Sequence, residues 1–245
     1  MQDQRRVLID YVYPKINDGD LYIKRVVHER VTVDAHVLVD GHDVIAASVL
    51  YKHEREKKWQ EVRMHAGMNN EWHASFTVVK QGFYTYKVEG WVDYALNWQH
   101  GIQRKIEDNQ IVKSELLEGI LFLKSLSEKA HDNEKEYLKH LQHIFGSEPD
   151  YDEAIKAATS KKLHDIFTKH PQKILANTSK DYRVYVDRLK ARFSTWYEFF
   201  PRSASEQKGV HGTLKTTPPR HMKVMWVQPG ASVQNMVVTQ IFIRN

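Results

Sequence analysis

The chain has 245 residues, 41% hydrophobic and 27% charged, which excludes a disordered chain and allows one large domain or two smaller ones. The absence of cysteine excludes disulfides, thiolate metal sites and cysteine nucleophiles together. The net charge of +5 admits an anionic partner, yet acids and bases are interspersed in "KHEREKKW" and "HDNEKEYLKH". A solvated mixed-charge surface is therefore expected, with no nucleic-acid partner. No membrane partner is expected either, because no apolar run approaches the roughly 20 residues of a membrane helix. The start, "MQDQRRVLID", lacks the apolar stretch of a signal peptide, so a cytoplasmic protein is expected.

Strands come first. "VLIDYVYP" (7–14) and "RVTVDAHVLVD" (30–40) alternate apolar and polar residues with period two, as half-buried strands do. "DGHD" (Asp40 to Asp43) is a turn signal. "SVLYKH", "WQEVRMH", "WHASFTVV" and "GFYTYKVEGWVDY" follow, separated by breaks such as "AGMNNE" and "KQG". Short strands at this spacing predict an immunoglobulin-like antiparallel β-sandwich over 5–108, held by packing alone.

Near Asn109 the period becomes helical. Val112, Leu116, Ile120, Leu123 and Ser127 or Leu126 track one face; Tyr137, Leu138, Leu141, Ile144 and Phe145 track another, ending at Gly146. "YDEAIKAAT" and "KKLHDIFTKH" predict two shorter helices, the last stopped by Pro171. Four amphipathic helices must bury their stripes mutually, so 109–178 reads as a small helical bundle. "DYRVYVDRL" (181–189) then returns to strand character. The fold class expected is α+β, a sandwich (5–108 and 179–190) carrying an inserted bundle. Residues 216–245 receive no fold, and Gln207 to Asn245 contain no Asp or Glu.

The chemistry-bearing motifs are few. No nucleophile elbow, phosphate loop or dinucleotide fingerprint occurs, and no cofactor is expected. Glu136, His140 and His143 can share a helix face as metal ligands do, but a charged helix offers that spacing readily, and a solvated face is the expectation. Trp72, Trp91 and Trp98 can act as sugar-stacking platforms or as core. Trp91 sits inside an alternating strand and is expected in the core. Trp98, in "NWQHG" beyond that strand, is the candidate for substrate binding.

"EGWVDYALNWQHGIQRK" (Glu89 to Lys105) and "ARFSTWYEFFPRS" (Ala191 to Ser203), with "DGHDVIAA" (Asp40 to Ala47) and "HGTLK" (His211 to Lys215), carry a resemblance. From about Arg5 to Lys215 the chain resembles the amino-terminal region of bacterial α-1,4-glucan:maltose-1-phosphate maltosyltransferases, of glycoside hydrolase family 13. The resemblance implies a β-sandwich with a helical insertion, both contributing to a homodimer interface. It also implies that 191–215 is the start of an incomplete catalytic (β/α)8 barrel, whose first strand matches "RFSTWYEFFPRS". Family members transfer maltosyl units from α-maltose 1-phosphate to α-1,4-glucans. That retaining chemistry needs two carboxyl groups, and the family's lie on later strands, so no catalytic residue carries over. Glu198 and Arg202 alone remain as polar candidates for an active-site mouth.

After Lys215 the sequence departs from the family with "TTPPRHMKVMWVQPG", and a barrel of about 250 residues cannot follow in what remains. The expectation is a non-catalytic, dimerising and glucan-contacting part of a maltosyltransferase. Leu121, Phe122 and Leu138 are its spare apolar residues for the dimer. The alternative is a freestanding module that binds glucan or protein.

Overall fold

The computed structural model of the chain describes residues 6–128, 130–147, 149–192, 196–199, 202, 205, 207–213, 224–227 and 239–243. They fall into two units, Met1–Val186 and Asp187–Asn245.

The first unit opens with eight strands: β1 (Val7–Tyr13), β2 (Ile23–Val26), β3 (Arg30–Val39), β4 (Ile45–His53), β5 (Gln60–Arg63), β6 (His65–Ala66), β7 (Glu71–Thr77) and β8 (Gly82–Val92). Five helices follow: α1 (Tyr94–Glu107), α2 (Lys113–Ser127), α3 (Asp132–Phe145), α4 (Tyr151–Ala158) and α5 (Lys161–Lys169). Two strands close it, β9 (Asn177–Thr178) and β10 (Tyr182–Asp187). One sheet has the order β1-β3-β7-β6; the other has β2-β10-β8-β4-β5, with β9 also on β8.

Period-two sequence builds the core between these sheets. Val31, Val33, Ala35 and Val37 of β3 point inward, as do Tyr84, Tyr86 and Val88 of β8 and Tyr182, Val184 and Val186 of β10. All belong to one apolar cluster drawn from both sheets. At Gly90 a Cβ would stand 3.0 Å from both Val37 and Val7, so the close approach of the layers here needs glycine. β10 pairs antiparallel with β8, Tyr182 opposite Tyr86 and Val186 opposite Gly82. The chain thus leaves the sheet after β8, makes five helices, and returns to pair with β8 itself.

One helix lies where sequence reading expects sandwich. Residues 94–107 form α1, and its Ala95, Leu96, Trp98 and Ile102 belong to the helical core. Asp93 starts it, the carboxylate accepting from the Leu96 N–H at 3.2 Å. That core also takes Leu116, Leu123 and Leu126 of α2, Leu138 and Leu141 of α3, and Leu163 and Phe167 of α5. Gly119 lets α1 and α2 meet, because a Cβ there would lie 2.4 Å from the Trp98 ring.

In the second unit β11 (Trp196–Phe199), β12 (Val224–Val227) and β13 (Thr239–Ile243) form a three-stranded sheet, order β11-β13-β12. Trp196 stands opposite Phe242 and Phe199 opposite Thr239 in antiparallel register. Neighbouring strands of a (β/α)8 barrel are parallel, so this pairing departs from the expected barrel start. An apolar strand with open edges pairs with whichever apolar strand the chain supplies. The supplier here is the tail for which the sequence predicts no fold.

Candidate functional site

A cluster of hydrogen-bonded side chains lies where the sheet becomes helix. The loop before β4 and the start of α1 are stitched together through Asn97, whose side-chain N–H donates to Asp43 at 2.9 Å and whose oxygen accepts from the Val44 N–H at 3.2 Å. Arg6 pairs with Asp40 and Asp43 from the other side. Gln99, buried, donates to the Ala158 carbonyl at 2.9 Å and contacts His164 Nδ1 at 3.0 Å, fastening α1 to the turn between α4 and α5. Both segments that carry the family resemblance here, "DGHDVIAA" and "DYALNWQHG", therefore touch each other and build a joint.

Beside this joint is a covered group of charges. Trp91 is fully buried, with the Arg63 guanidinium and the Lys173 ammonium each 4.7 Å from its ring centroid. Lys173 bridges Glu89 at 2.7 Å and Glu61 at 2.8 Å, and Arg63 faces Asp93 at 3.5 Å. Burial pushes the Asp93 carboxyl up from its ordinary range and the Arg63 guanidinium down, each group partly offsetting the other's shift. With its carboxylate occupied by the Leu96 amide and Arg63, Asp93 is a cap and counter-ion, and Trp91 is packing.

Trp98 is 7% exposed, correcting its reading as a ligand platform. Its indole N–H donates to the Glu115 carbonyl at 2.7 Å, and Phe122, Phe145 and Phe167 surround the ring at 6.0–6.2 Å. Trp72 and Trp91 are buried as well. Arg202 is exposed, its carbonyl accepting from the Gly212 N–H at 3.1 Å. Glu198 stands opposite Gln240 in β11, and its side chain lies outside the described residues.

Glu136, His140 and His143 lie exposed on α3, with His140 Nε2 3.5 Å from Glu153 across to α4. Among the described residues no three His, Asp or Glu side chains are grouped to hold a metal ion. No described helix is long and apolar enough to cross a membrane.

A surface depression of about 420 Å³ is lined by Glu134, Lys161, Lys162, Asp165, Ile166 and Lys169. Its charges engage one another. Hydrogen bonds from Lys169 at 2.6 Å and His170 at 2.9 Å push the Glu134 carboxyl down to about 2. A carboxyl depressed on folding adds stability above its unfolded pKa and loses it as pH falls toward the folded value. The tie between α3 and α5 should therefore fade between about pH 5 and pH 2. Urea unfolding of Glu134→Gln should show a deficit against the parent at pH 5 that narrows by pH 2.5. A constant deficit would reject the pairing.

Leu117 and Leu121, one turn apart on α2, are 57% and 66% exposed, and nearby Ile111 is 76% exposed. Phe122 is half-buried and Leu138 wholly buried, so of the three spare apolar residues expected at a dimer contact only Leu121 is free for one. Sequence reading missed Leu117, although its four-residue offset from Leu121 is visible in "ELLEGIL".

A family model for α-1,4-glucan:maltose-1-phosphate maltosyltransferase, domain N/S, matches residues 5–188. The chain belongs to this family. It is 40% identical over 217 residues to the α-1,4-glucan:maltose-1-phosphate maltosyltransferase of Chlorobaculum tepidum, covering 86% of this chain and 32% of the relative. Proteins of the same name from Methylacidiphilum infernorum (32% identical; 86% and 32% covered) and Myxococcus xanthus (34%; 85% and 33%) also match. The chain spans about a third of the length of the curated relatives it matches.

Proposed function

We propose that this chain acts as the non-catalytic N/S part of a maltosyltransferase, an assembly and glucan-contacting module that holds a homodimer together. The match over residues 5–188 carries the reading. Its sandwich would be immunoglobulin-like, with the helical insertion beginning at α1 rather than at Asn109. Residues 191–215 would correspond to the start of the relatives' barrel and 216–245 to a divergent tail. Maltosyl transfer between the substrates in the relatives' names, maltose 1-phosphate and an α-1,4-glucan, would be carried out by catalytic groups outside residues 5–188, with this chain only contacting the glucan.

Support for the assembly role is the exposed Leu117–Leu121 stripe on α2, the apolar surface a two-fold contact uses. Both leucines point to solvent, so charged substitutions leave the helical core untouched. Light scattering coupled to size exclusion should give a dimer for the parent and a monomer for Leu117→Glu/Leu121→Glu, with unchanged circular dichroism. A parent that stays monomeric as concentration rises would sink the assembly role.

A further inference from the structure

The outer face of the second sheet has a covered end, at Trp91 and Lys173, and an open end. On β8 the odd-numbered residues point away from the core: Phe83, Thr85 and Lys87 at the open end, Glu89 and Trp91 beyond. Tyr185 and Arg183 of β10 lie beside Phe83 and Thr85 in register. Tyr22, 48% exposed, completes a three-ring patch, with centroids 5.4 Å from Phe83 and 5.9 Å from Tyr185, and Phe83 and Tyr185 5.1 Å apart. The Arg183 guanidinium sits 4.3 Å from the Phe83 ring.

Farther along, Trp59 is half-exposed, its ring held by Lys52 at 4.6 Å and Lys87 at 4.7 Å. Lys87 is four residues from Phe83, about 13 Å at strand spacing, so the two aromatic stations are separated but share one surface. We propose that this open sheet face binds a stretch of α-1,4-linked glucan, with pyranose rings stacked on Tyr22–Phe83–Tyr185 and on Trp59.

The chemistry of the face selects that ligand. Aromatic faces meet the apolar C–H faces of sugar rings, while Lys52, Lys87 and Arg183 offer only donors, which hydroxyl oxygens accept. Among the described residues none of these three cations has an ion-pair partner; Lys52 and Lys87 lie over the Trp59 ring and Arg183 over the Phe83 ring. Around them stand Glu54, Glu61 and Glu89 on the same sheet or its turn, which lowers the net charge and disfavours a polyanion. The inference rests on the maltosyltransferase reading, which names the polymer.

Native electrophoresis of the full chain in gels containing glycogen tests it. Retardation is expected, and Tyr22→Ala/Trp59→Ala should weaken it at least about tenfold, whereas Leu117→Glu/Leu121→Glu keeps both sites on each subunit. Both altered rings are solvent-facing, and circular dichroism confirms that the variant folds. A parent that runs unretarded, or a Tyr22/Trp59 variant retarded as strongly as the parent, overturns the proposal. Retention by an oligothymidylate rather than by glycogen overturns it too, in favour of a nucleic-acid face. A dimer that ignores glycogen removes this surface alone, while a chain that neither dimerises nor binds removes the family role as well.

Discussion

Trp98→Ala should cost about 3–5 kcal/mol, the ordinary range for emptying a buried tryptophan site. The ring is the meeting point of α1, α2, α3 and α5, through Gly119, Phe122, Phe145 and Phe167. Its removal opens a cavity among rings that cannot all collapse inward, and leaves the Glu115 carbonyl without its indole donor. Trp98→Phe keeps part of the packing and should cost roughly half as much. Gly119→Ala reports on the same contact from the opposite side. Alanine is normally the better helix former by about 1 kcal/mol. Here its Cβ would fall 2.4 Å from the indole, so the sign should reverse to a loss of about 1–3 kcal/mol. Combined with Trp98→Phe, which vacates that space, Gly119→Ala should recover much of the loss. Urea unfolding followed by far-UV ellipticity measures the four variants against the parent. A Gly119→Ala chain more stable than its parent would refute the packing described.

What the sequence discloses depends on how strictly each element obeys its period. β3 and β10 bury every second residue, and "RVTVDAHVLVD" and "YRVYVD" say so without help. The stripes of α3 and α5 are as plain. α1 is not, because its 14 residues hold Gly101 and a polar run, "NWQHG", that breaks the eye's search for a stripe. The signal was present in Trp98, Ile102 and Ile106 at intervals of four, behind a capping aspartate. Tertiary contact explains the rest: Asn97 and Gln99 look like loop residues in sequence, yet each completes hydrogen bonds to segments about 54 to 65 positions away. The aromatic sheet face was equally hidden. Phe83 and Tyr185 occupy the outward beats of their strands, and only the register of β8 with β10 shows that they are neighbours beside Tyr22. Tail strands β12 and β13 were illegible for a different reason: short apolar runs carry no period, and what they pair with is decided by the fold.

Asp93→Ala should destabilise the first unit by about 3–5 kcal/mol, the sum of a lost helix cap near 1 kcal/mol and a buried guanidinium stripped of its counter-ion. The carboxylate is 1% exposed and the Arg63 side chain 26% exposed, so water can relieve Arg63 only in part. Asp93→Asn separates the two contributions. Asparagine caps as well as aspartate, so the Leu96 N–H keeps an acceptor while Arg63 loses a negative charge, and the cost should fall to about 2–3 kcal/mol. Arg63→Met leaves the opposite orphan, the buried Asp93 carboxylate, and should cost a similar amount. Arg63→Met/Asp93→Asn then decides what the pair contributes. Since burial opposes the charged form of both groups, much of each single penalty is the desolvation of the partner left behind. The double variant should therefore lie closer to the parent than either single change, with a coupling of about 1–3 kcal/mol in the cycle. Additive losses would mean that the two residues act independently, and that Asp93 matters as the cap of α1 and nothing more.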